Sequence, residues 1–310
     1  MEEMENNMEQ KIYNRLAEII PQERMKFDEP MKEHTTFRIG GAAEVFVMPG
    51  SAEEVRAVVR VCREEQVPYY VLGNGSNLLV SDRGVQGVVI QLGKEMKEIQ
   101  AEGESITAQA GALLSAVANR ALEEGLTGFE FAAGIPGSLG GACVMNAGAY
   151  GGEMKDVIEN VTVLAPDGEI LTIPGEKMEF GYRTSIAAGK GYIVLEAQIR
   201  LRRGQKDEIK AVMDDLRERR LTKQPLEYPS AGSTFKRPEG YFAGKLIQDA
   251  GLRGFSFGGA QVSEKHCGFV INRDGATAAD VAGLMQRVSD TVEEKFGVRL
   301  EPEVKRLGEF

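Results

Sequence analysis

Two glycine-dense loops restrict this chain more than any other feature of its sequence. The first, Gly73-Asn74-Gly75-Ser76-Asn77, directly follows the apolar run VPYYVL over 67–72. The second, Gly134-Ile135-Pro136-Gly137-Ser138-Leu139-Gly140-Gly141, lies in a Gly- and Ala-rich stretch over 132–152 whose spacing is too ordered for a linker. Glycine lets a backbone come close to a phosphate and turn its N–H groups toward it. Serine and asparagine side chains add donors, so two such loops can hold the two phosphates of a dinucleotide. Neither loop is a Walker A sequence, because no Gly-Lys-Ser/Thr follows. Neither is a Rossmann G-x-G-x-x-G, because Leu78 stands where the third glycine belongs. A P-loop ATPase and a Rossmann dehydrogenase are therefore disfavoured. Either loop alone also reads as a tight turn.

Around the loops, strand and helix patterns alternate. Residues 9–24 predict a modest helix ending near Pro21. EVFVMP (44–49) reads as a strand. Ser51 then opens a helix through a capping box with Glu54, with an apolar face of Val55, Val58, Val59 and Cys62. VPYYVLG (67–73) reads as a buried strand, and LLV (78–80) and GVVIQL (87–92) as further strands. A strand over 105–110 and a helix over 113–124 precede the second loop. VTVLAPDGEILTI (161–173) predicts a hairpin around Pro166-Asp167-Gly168, and 192–204 a longer strand. The composition shifts at Gly204. A charged helix over 206–220 follows, broken by Pro225 and Pro229, then a strand at GFVIN (268–272). The clearest helix is 277–296, with apolar Val281, Leu284, Met285, Val288, Val292 and Phe296 near the 3.6-residue period, and 298–300 is expected to return as a strand.

The chain has 310 residues, long for one core and comfortable for two or three units. Its 42% hydrophobic content can bury a sizeable core, and a mean hydropathy of -0.24 with 27% charged residues fits a soluble globular protein. A net charge of -10 argues against coating nucleic acid or an anionic membrane. An anionic substrate then needs a local cluster of Lys and Arg. Cys62, Cys143 and Cys267 form no CxxC pair, which disfavours zinc ribbons and fits free thiols in a reducing compartment. The acidic N-terminus and the lack of an apolar run of about 18 residues point to the cytoplasm. His34 and His266, the two histidines, do not read as metal ligands, and no metal is expected. No obligate protein partner is evident.

Six motifs occur in order: HTTFRIGG (34–41), LGNGSNLLV (72–80), AGIPGSLGGA (133–142), FGYRTS (180–185), AGSTFKRP (231–238) and LEPEV (300–304). Each is weak alone. Together the chain strongly resembles the UDP-N-acetylenolpyruvoylglucosamine reductases, FAD enzymes of the cell-wall pathway, over essentially everything after residue 30. The resemblance implies an α+β protein: a FAD-binding fold of the vanillyl-alcohol oxidase (PCMH) type in two lobes, plus a third, α/β substrate-binding domain. The domains expected are an N-terminal helical segment (1–30), a FAD-binding domain (31–204, lobes about 31–100 and 101–204) and a substrate-binding domain (205–310). The resemblance also implies non-covalent FAD cradled by Gly73, Asn74, Gly75, Ser76, Asn77, Gly134, Ile135, Pro136, Gly137, Ser138, Gly140 and Gly141, with NADPH as the reductant.

The implied reaction reduces the enolpyruvyl group of a UDP-sugar, with hydride passing from flavin N5 to the terminal carbon. An enol ether carbon resists hydride unless the developing enolate dianion of the conjugated carboxylate is stabilised. A proton must then reach the carbon next to that carboxylate. In the resemblance Arg183 takes the first role, since a guanidinium offers fork-shaped donors to a carboxylate. Ser233 takes the proton-donor role, which requires a stabilised alkoxide or a water relay. Glu303 takes the third position, hydrogen-bonding the carboxylate or orienting a water, with burial able to raise its pKa. Glu301 is its near decoy, because residues two apart on a strand share a face.

Lys223, Lys236 and Arg237 are candidates for the substrate pyrophosphate, and Tyr182 for stacking on uracil or sugar. Standing alone, each of these residues reads as an ordinary surface or turn position. Cys267 reads as a packed small residue on a strand. The short stretch 238–258 matches the family's shorter loop class, with Tyr150 a candidate for bordering the site. Two rivals use the same loops: a FAD oxidase or dehydrogenase of this fold acting on an alcohol, and a non-catalytic nucleotide-sugar-binding protein.

Overall fold

The computed structural model describes residues 11–310, and its longest apolar helices start where a side chain satisfies their first N–H groups. Ser51 Oγ accepts from Glu54 N–H at 3.1 Å at the head of helix Ala52–Glu64. That helix buries Val55, Val58, Val59, Val61 and Cys62. Thr277 and Asp280 form a reciprocal capping box at the head of Ala278–Phe296. Asp82 adds two further acceptors there, for the N–H groups of Ala278 (2.8 Å) and Ala279 (3.0 Å). Gly297 closes the same helix in the left-handed region at φ +67°.

The fold is α+β and its residues gather in two compact units that interleave along the chain. One takes the described residues up to Phe27, then Val45–Asn74 and Gly87–Glu218. The other takes Asp28–Glu44, Gly75–Gln86 and Arg219–Phe310. These stand beside the sequential domains 1–30, 31–204 and 205–310 expected from the sequence. The segments 28–44 and 75–86 belong with the C-terminal residues, and most of the charged helix belongs with the N-terminal ones.

The first unit holds an antiparallel five-stranded sheet in the order Ile170–Pro174, Ile158–Leu164, Ile193–Arg200, Ser105–Gln109, Ile99–Glu102. Its first two strands are the expected hairpin. Helices Leu114–Glu123 and Leu139–Met145 contribute Leu114, Val117, Leu139 and Ala142 to the core of this unit. A four-stranded sheet runs Met25–Pro30, Ala42–Val47, Val85–Gln91, Tyr69–Leu72, the last pair parallel. The charged helix, Lys206–Lys223, buries only Ile209. In the second unit, strands Ser256–Phe257, Ala260–Val262 and Val270–Asn272 form an antiparallel sheet. Val281, Leu284, Met285, Val288 and Val292 bury their stripe in that unit's core. Strand Leu78–Val80 pairs in parallel with Lys305–Leu307.

Four local expectations are corrected. The helix expected over 9–24 is helical only over 11–17, with residues 9 and 10 outside the described residues, and a short 3-10 turn follows at Gln22–Arg24. The strand expected as buried at 67–73 runs Tyr69–Leu72 at a sheet edge, and only Leu72 is buried. Residues 298–300 form no strand; the pairing comes later, at Lys305–Leu307. Cys267 is buried as expected, but in a turn before the strand Val270–Asn272.

Candidate active site

In the first unit the two glycine-rich loops meet. Asn74 Nδ2 donates to the Pro136 carbonyl at 2.7 Å, and Gln91 Nε2 donates to the Gly73 carbonyl at 3.2 Å. A Cβ on Gly73 would stand 2.0 Å from Ser138 Oγ, so no other residue fits there without moving the serine. Ser138 is 3% exposed, and its hydroxyl has no hydrogen-bond partner. A buried, unsatisfied hydroxyl costs about 1–3 kcal/mol, so an acceptor brought to it, such as a phosphate oxygen, recovers that energy. Within the second loop the N–H groups split by role. Leu139 and Gly140 spend theirs on the carbonyls of Ala112 and Ala110, both at 2.8 Å. A Cβ on Gly140 would meet the Ala110 Cβ at 2.8 Å, so this glycine lets the helix start pack against the turn that follows strand Ser105–Gln109.

Gly75, Ser76 and Asn77 belong to the second unit. Gly75 sits at φ +60°, and a Cβ there would fall 2.0 Å from the His34 carbonyl oxygen. Its own carbonyl accepts from Thr36 N–H at 3.2 Å. Asn77 Nδ2 donates to the Glu303 carbonyl at 3.2 Å, and Asn77 O accepts from Lys305 N–H at 3.0 Å. The Asn77 amide thus ties the loop to the chain around Glu303.

The structure brings Ser233 and Glu303 to neighbouring backbone. Thr234, next to the exposed Ser233, is fully buried. It donates its N–H to Gly268 O (2.8 Å), accepts from Val270 N–H at its hydroxyl (2.8 Å), and accepts from Glu303 N–H at its carbonyl (2.8 Å). Three anchors on one buried residue hold its neighbour in place. Glu303 is 9% exposed, whereas the Glu301 side chain is 70% exposed and pairs with Lys236 Nζ at 3.0 Å. The same-face expectation for the two glutamates fails, because residues 301–304 form no strand and make a single bridge, between Pro302 and Phe235.

The Arg237 guanidinium lies over the Phe242 ring at 4.0 Å, an arrangement worth about 0.5–1 kcal/mol at an exposed site. Lys223 closes the charged helix on an exposed turn.

Arg183 lies in the first unit, at the tip of a tight turn closed by Gly181 and Thr184, whose N–H and C=O groups pair at 3.0 and 3.4 Å. Its φ is +57°, and its guanidinium stands 5.3 Å from the centre of the Tyr182 ring, itself 56% exposed. Tyr150 is also exposed and left-handed, at φ +54°. His34 Nε2 pairs with Glu29 at 2.8 Å. His266 Nδ1 accepts from Gly268 N–H at 3.1 Å, and burial pushes its pKa down.

Residues 224–307 match the C-terminal domain of UDP-N-acetylenolpyruvoylglucosamine reductase, and residues 43–174 match a FAD binding domain. A UDP-N-acetylenolpyruvoylglucosamine reductase of Caldanaerobacter subterraneus subsp. tengcongensis is 54% identical over 96% of this chain and 98% of its own. One from Clostridioides difficile is 53% identical over 97% and 99%. The chain belongs to the UDP-N-acetylenolpyruvoylglucosamine reductase family. Among solved structures, the UDP-N-acetylenolpyruvylglucosamine reductase (MurB) of Thermus caldophilus covers 92% of the chain with a TM-score of 0.78 at 37% identity, and the chain covers 98% of it.

The fold reaches beyond the reductase family. A 4-ethylphenol oxidase from Gulosibacter chungangensis matches 96% of the chain, and 65% of its own, at a TM-score of 0.50 and 17% identity. At that identity the likeness is one of fold, the FAD-binding fold of the vanillyl-alcohol oxidase type. The orphaned Ser138 hydroxyl against Gly73 fits a phosphate-bearing cofactor of the kind such a fold holds. Among the described residues no helix is long and apolar enough to cross a membrane.

Proposed function

We infer that this protein catalyses the NADPH-dependent reduction of UDP-N-acetylglucosamine enolpyruvate to UDP-N-acetylmuramate, with non-covalent FAD as the electron carrier. The observation that carries this is identity above one half to reductases of that name over nearly the whole chain. FAD binding is assigned to residues 31–204 and substrate binding to 205–310, a division supported by the matches over 43–174 and 224–307. FAD, when bound, would supply the two-electron redox chemistry between NADPH and the enolpyruvyl group.

The residues of the chain bind, orient and move the proton. Gly73, Gly137 and Ser138, with Gly75 and Ser76, take the pyrophosphate side of the cofactor. The Arg183 guanidinium holds the substrate carboxylate, where negative charge builds as the double bond is reduced. Ser233 Oγ delivers the proton to the carbon beside that carboxylate. Glu303, buried and held through its N–H by Thr234, stabilises the charge or orients the water that relays the proton. Tyr182 offers a face for uracil or sugar, and Lys223, Lys236 and Arg237 supply the local positive charge that a net charge of -10 makes necessary. The three buried, unpaired cysteines support a reducing, cytoplasmic setting.

The test is a two-step anaerobic titration of the purified yellow protein. NADPH bleaches the flavin, and the UDP-enolpyruvyl sugar restores its colour. A colourless protein, or a bleached one that the sugar does not reoxidise, overturns the assignment.

A further inference from the structure

We propose that Asn146 is a positioning residue for Arg183, its buried amide clamping the arginine's turn to the helix that begins at the cofactor loop. The inference rests on the reading of Arg183 as the carboxylate-binding residue.

Helix Leu139–Met145 starts at Ser138 in the second glycine-rich loop and ends at Asn146, which is 1% exposed and left-handed at φ +46°. Helices often end in this conformation, with glycine the usual residue and asparagine the next. Glycine would meet the backbone requirement at lower cost. Asparagine adds an amide, and the amide is fully used. Nδ2 donates to Glu153 Oε2 at 2.6 Å and to the Gly181 carbonyl at 3.1 Å, while Oδ1 accepts from Lys155 N–H at 3.0 Å. Glu153 is itself fixed by a reciprocal capping box with Asp156 and by Lys155 Nζ at 2.5 Å.

The Gly181 carbonyl is the one that closes the turn carrying Tyr182 and Arg183, where it also accepts from Thr184 N–H. On the other flank, Ser185 Oγ donates to the Val144 carbonyl at 2.8 Å. Both feet of the turn therefore stand on the last residues of one short helix. A non-glycine residue at φ +57°, as Arg183 is, costs about 1–2 kcal/mol and persists only where its surroundings over-determine it. The two ties supply that. They make the loop that meets the cofactor and the turn that meets the substrate parts of one rigid piece.

The decisive variant is Asn146→Gly, which keeps the left-handed backbone and deletes the amide. In the FAD-loaded enzyme under anaerobic conditions we expect it to retain flavin and to be reduced by NADPH at nearly the wild-type rate. Reoxidation by the UDP-enolpyruvyl sugar slows about tenfold or more, the scale on which sub-ångström misplacement of a catalytic group acts. Arg183→Ala slows the same step, and Asn146→Gly adds nothing in the Arg183→Ala background, because both remove one function. Should Asn146→Gly fail to fold, Ser185→Ala removes the other tie and is expected to slow reoxidation severalfold with flavin reduction unchanged. Slow reoxidation in Arg183→Ala beside wild-type reoxidation in Asn146→Gly or its substitute Ser185→Ala, or losses that multiply in the double variant, overturns the clamp alone. Wild-type reoxidation in Arg183→Ala overturns the role of Arg183 and the clamp with it.

Discussion

Glu303 N–H donates to the Thr234 carbonyl at 2.8 Å, so the carboxylate-bearing chain and the chain carrying Ser233 are locked side by side. This pairing gives the acid–base assignment a specific test. Ser233→Ala is expected to leave flavin reduction by NADPH intact and nearly abolish reoxidation by the UDP-enolpyruvyl sugar, measured as two separate anaerobic half-reactions. Equal slowing of both would remove Ser233 from proton delivery.

Gly75→Ala probes the first loop. The new Cβ would fall 2.0 Å from the His34 carbonyl oxygen at a φ of +60°. The conformational penalty alone is about 1–2 kcal/mol. The variant should purify with a lower flavin-to-protein ratio and a lower melting temperature. A fully flavinated protein of unchanged stability would show that the loop shifts freely.

Asp82→Ala removes two acceptors from the head of helix Ala278–Phe296. Thr277 still caps the helix, so the loss should be that of one cap, about 1 kcal/mol. A urea midpoint shifted downward at constant slope would report it, with Asp82→Asn recovering part. An unshifted midpoint would make the contact dispensable.

Glu54 supports acid-dependent stability. Its carboxylate takes a bidentate pair from Arg24 at 2.7 and 2.9 Å and also accepts from Gly50 N–H. The hydrogen bonds from Arg24, opposed in part by burial, hold its pKa below the ordinary 4.5. A carboxylate with a depressed folded pKa stabilises the protein above its unfolded pKa and loses that stabilisation as pH falls through the folded value. Glu54→Gln should therefore be less stable than wild type at neutral pH, and the gap should close as the medium is acidified below pH 4.5. A gap independent of pH would assign the effect to packing.

The thiols should be silent in the native protein. Burial pushes Cys62 and Cys143 up to about 12 and raises Cys267 as well. A thiol reagent at neutral pH should titrate them only after denaturation, since the thiolate is the reactive form. Rapid labelling of the native protein at Cys62 or Cys143 would mean that the core opens.

Features set by neighbours a few residues away were legible in the sequence. Ser51 and Thr277 announce their helices because a cap and its N–H partner lie within one turn. The hairpin around Pro166-Asp167-Gly168 forms where it is expected, and the stripe from Val281 to Val292 is buried because helical period alone gathers it on one face. The six motifs named the family and picked out Arg183, Ser233 and Glu303 as candidates.

What each of those residues touches was decided only in three dimensions. Tyr69 to Val71 read as buried, yet their strand lies at a sheet edge, and no local pattern encodes strand order. Strand alternation would put Glu301 on the same face as Glu303, yet only Glu303 is buried, because Pro302 makes a single bridge to Phe235 rather than extending a strand. Asn146 carried no signal beyond its place in a glycine-rich segment, and its partners Glu153 and Gly181 make it a clamp. Caps, periods and turns are local free energies that a short window of sequence contains. Register, burial at an edge and long-range hydrogen bonds depend on segments that only folding brings together.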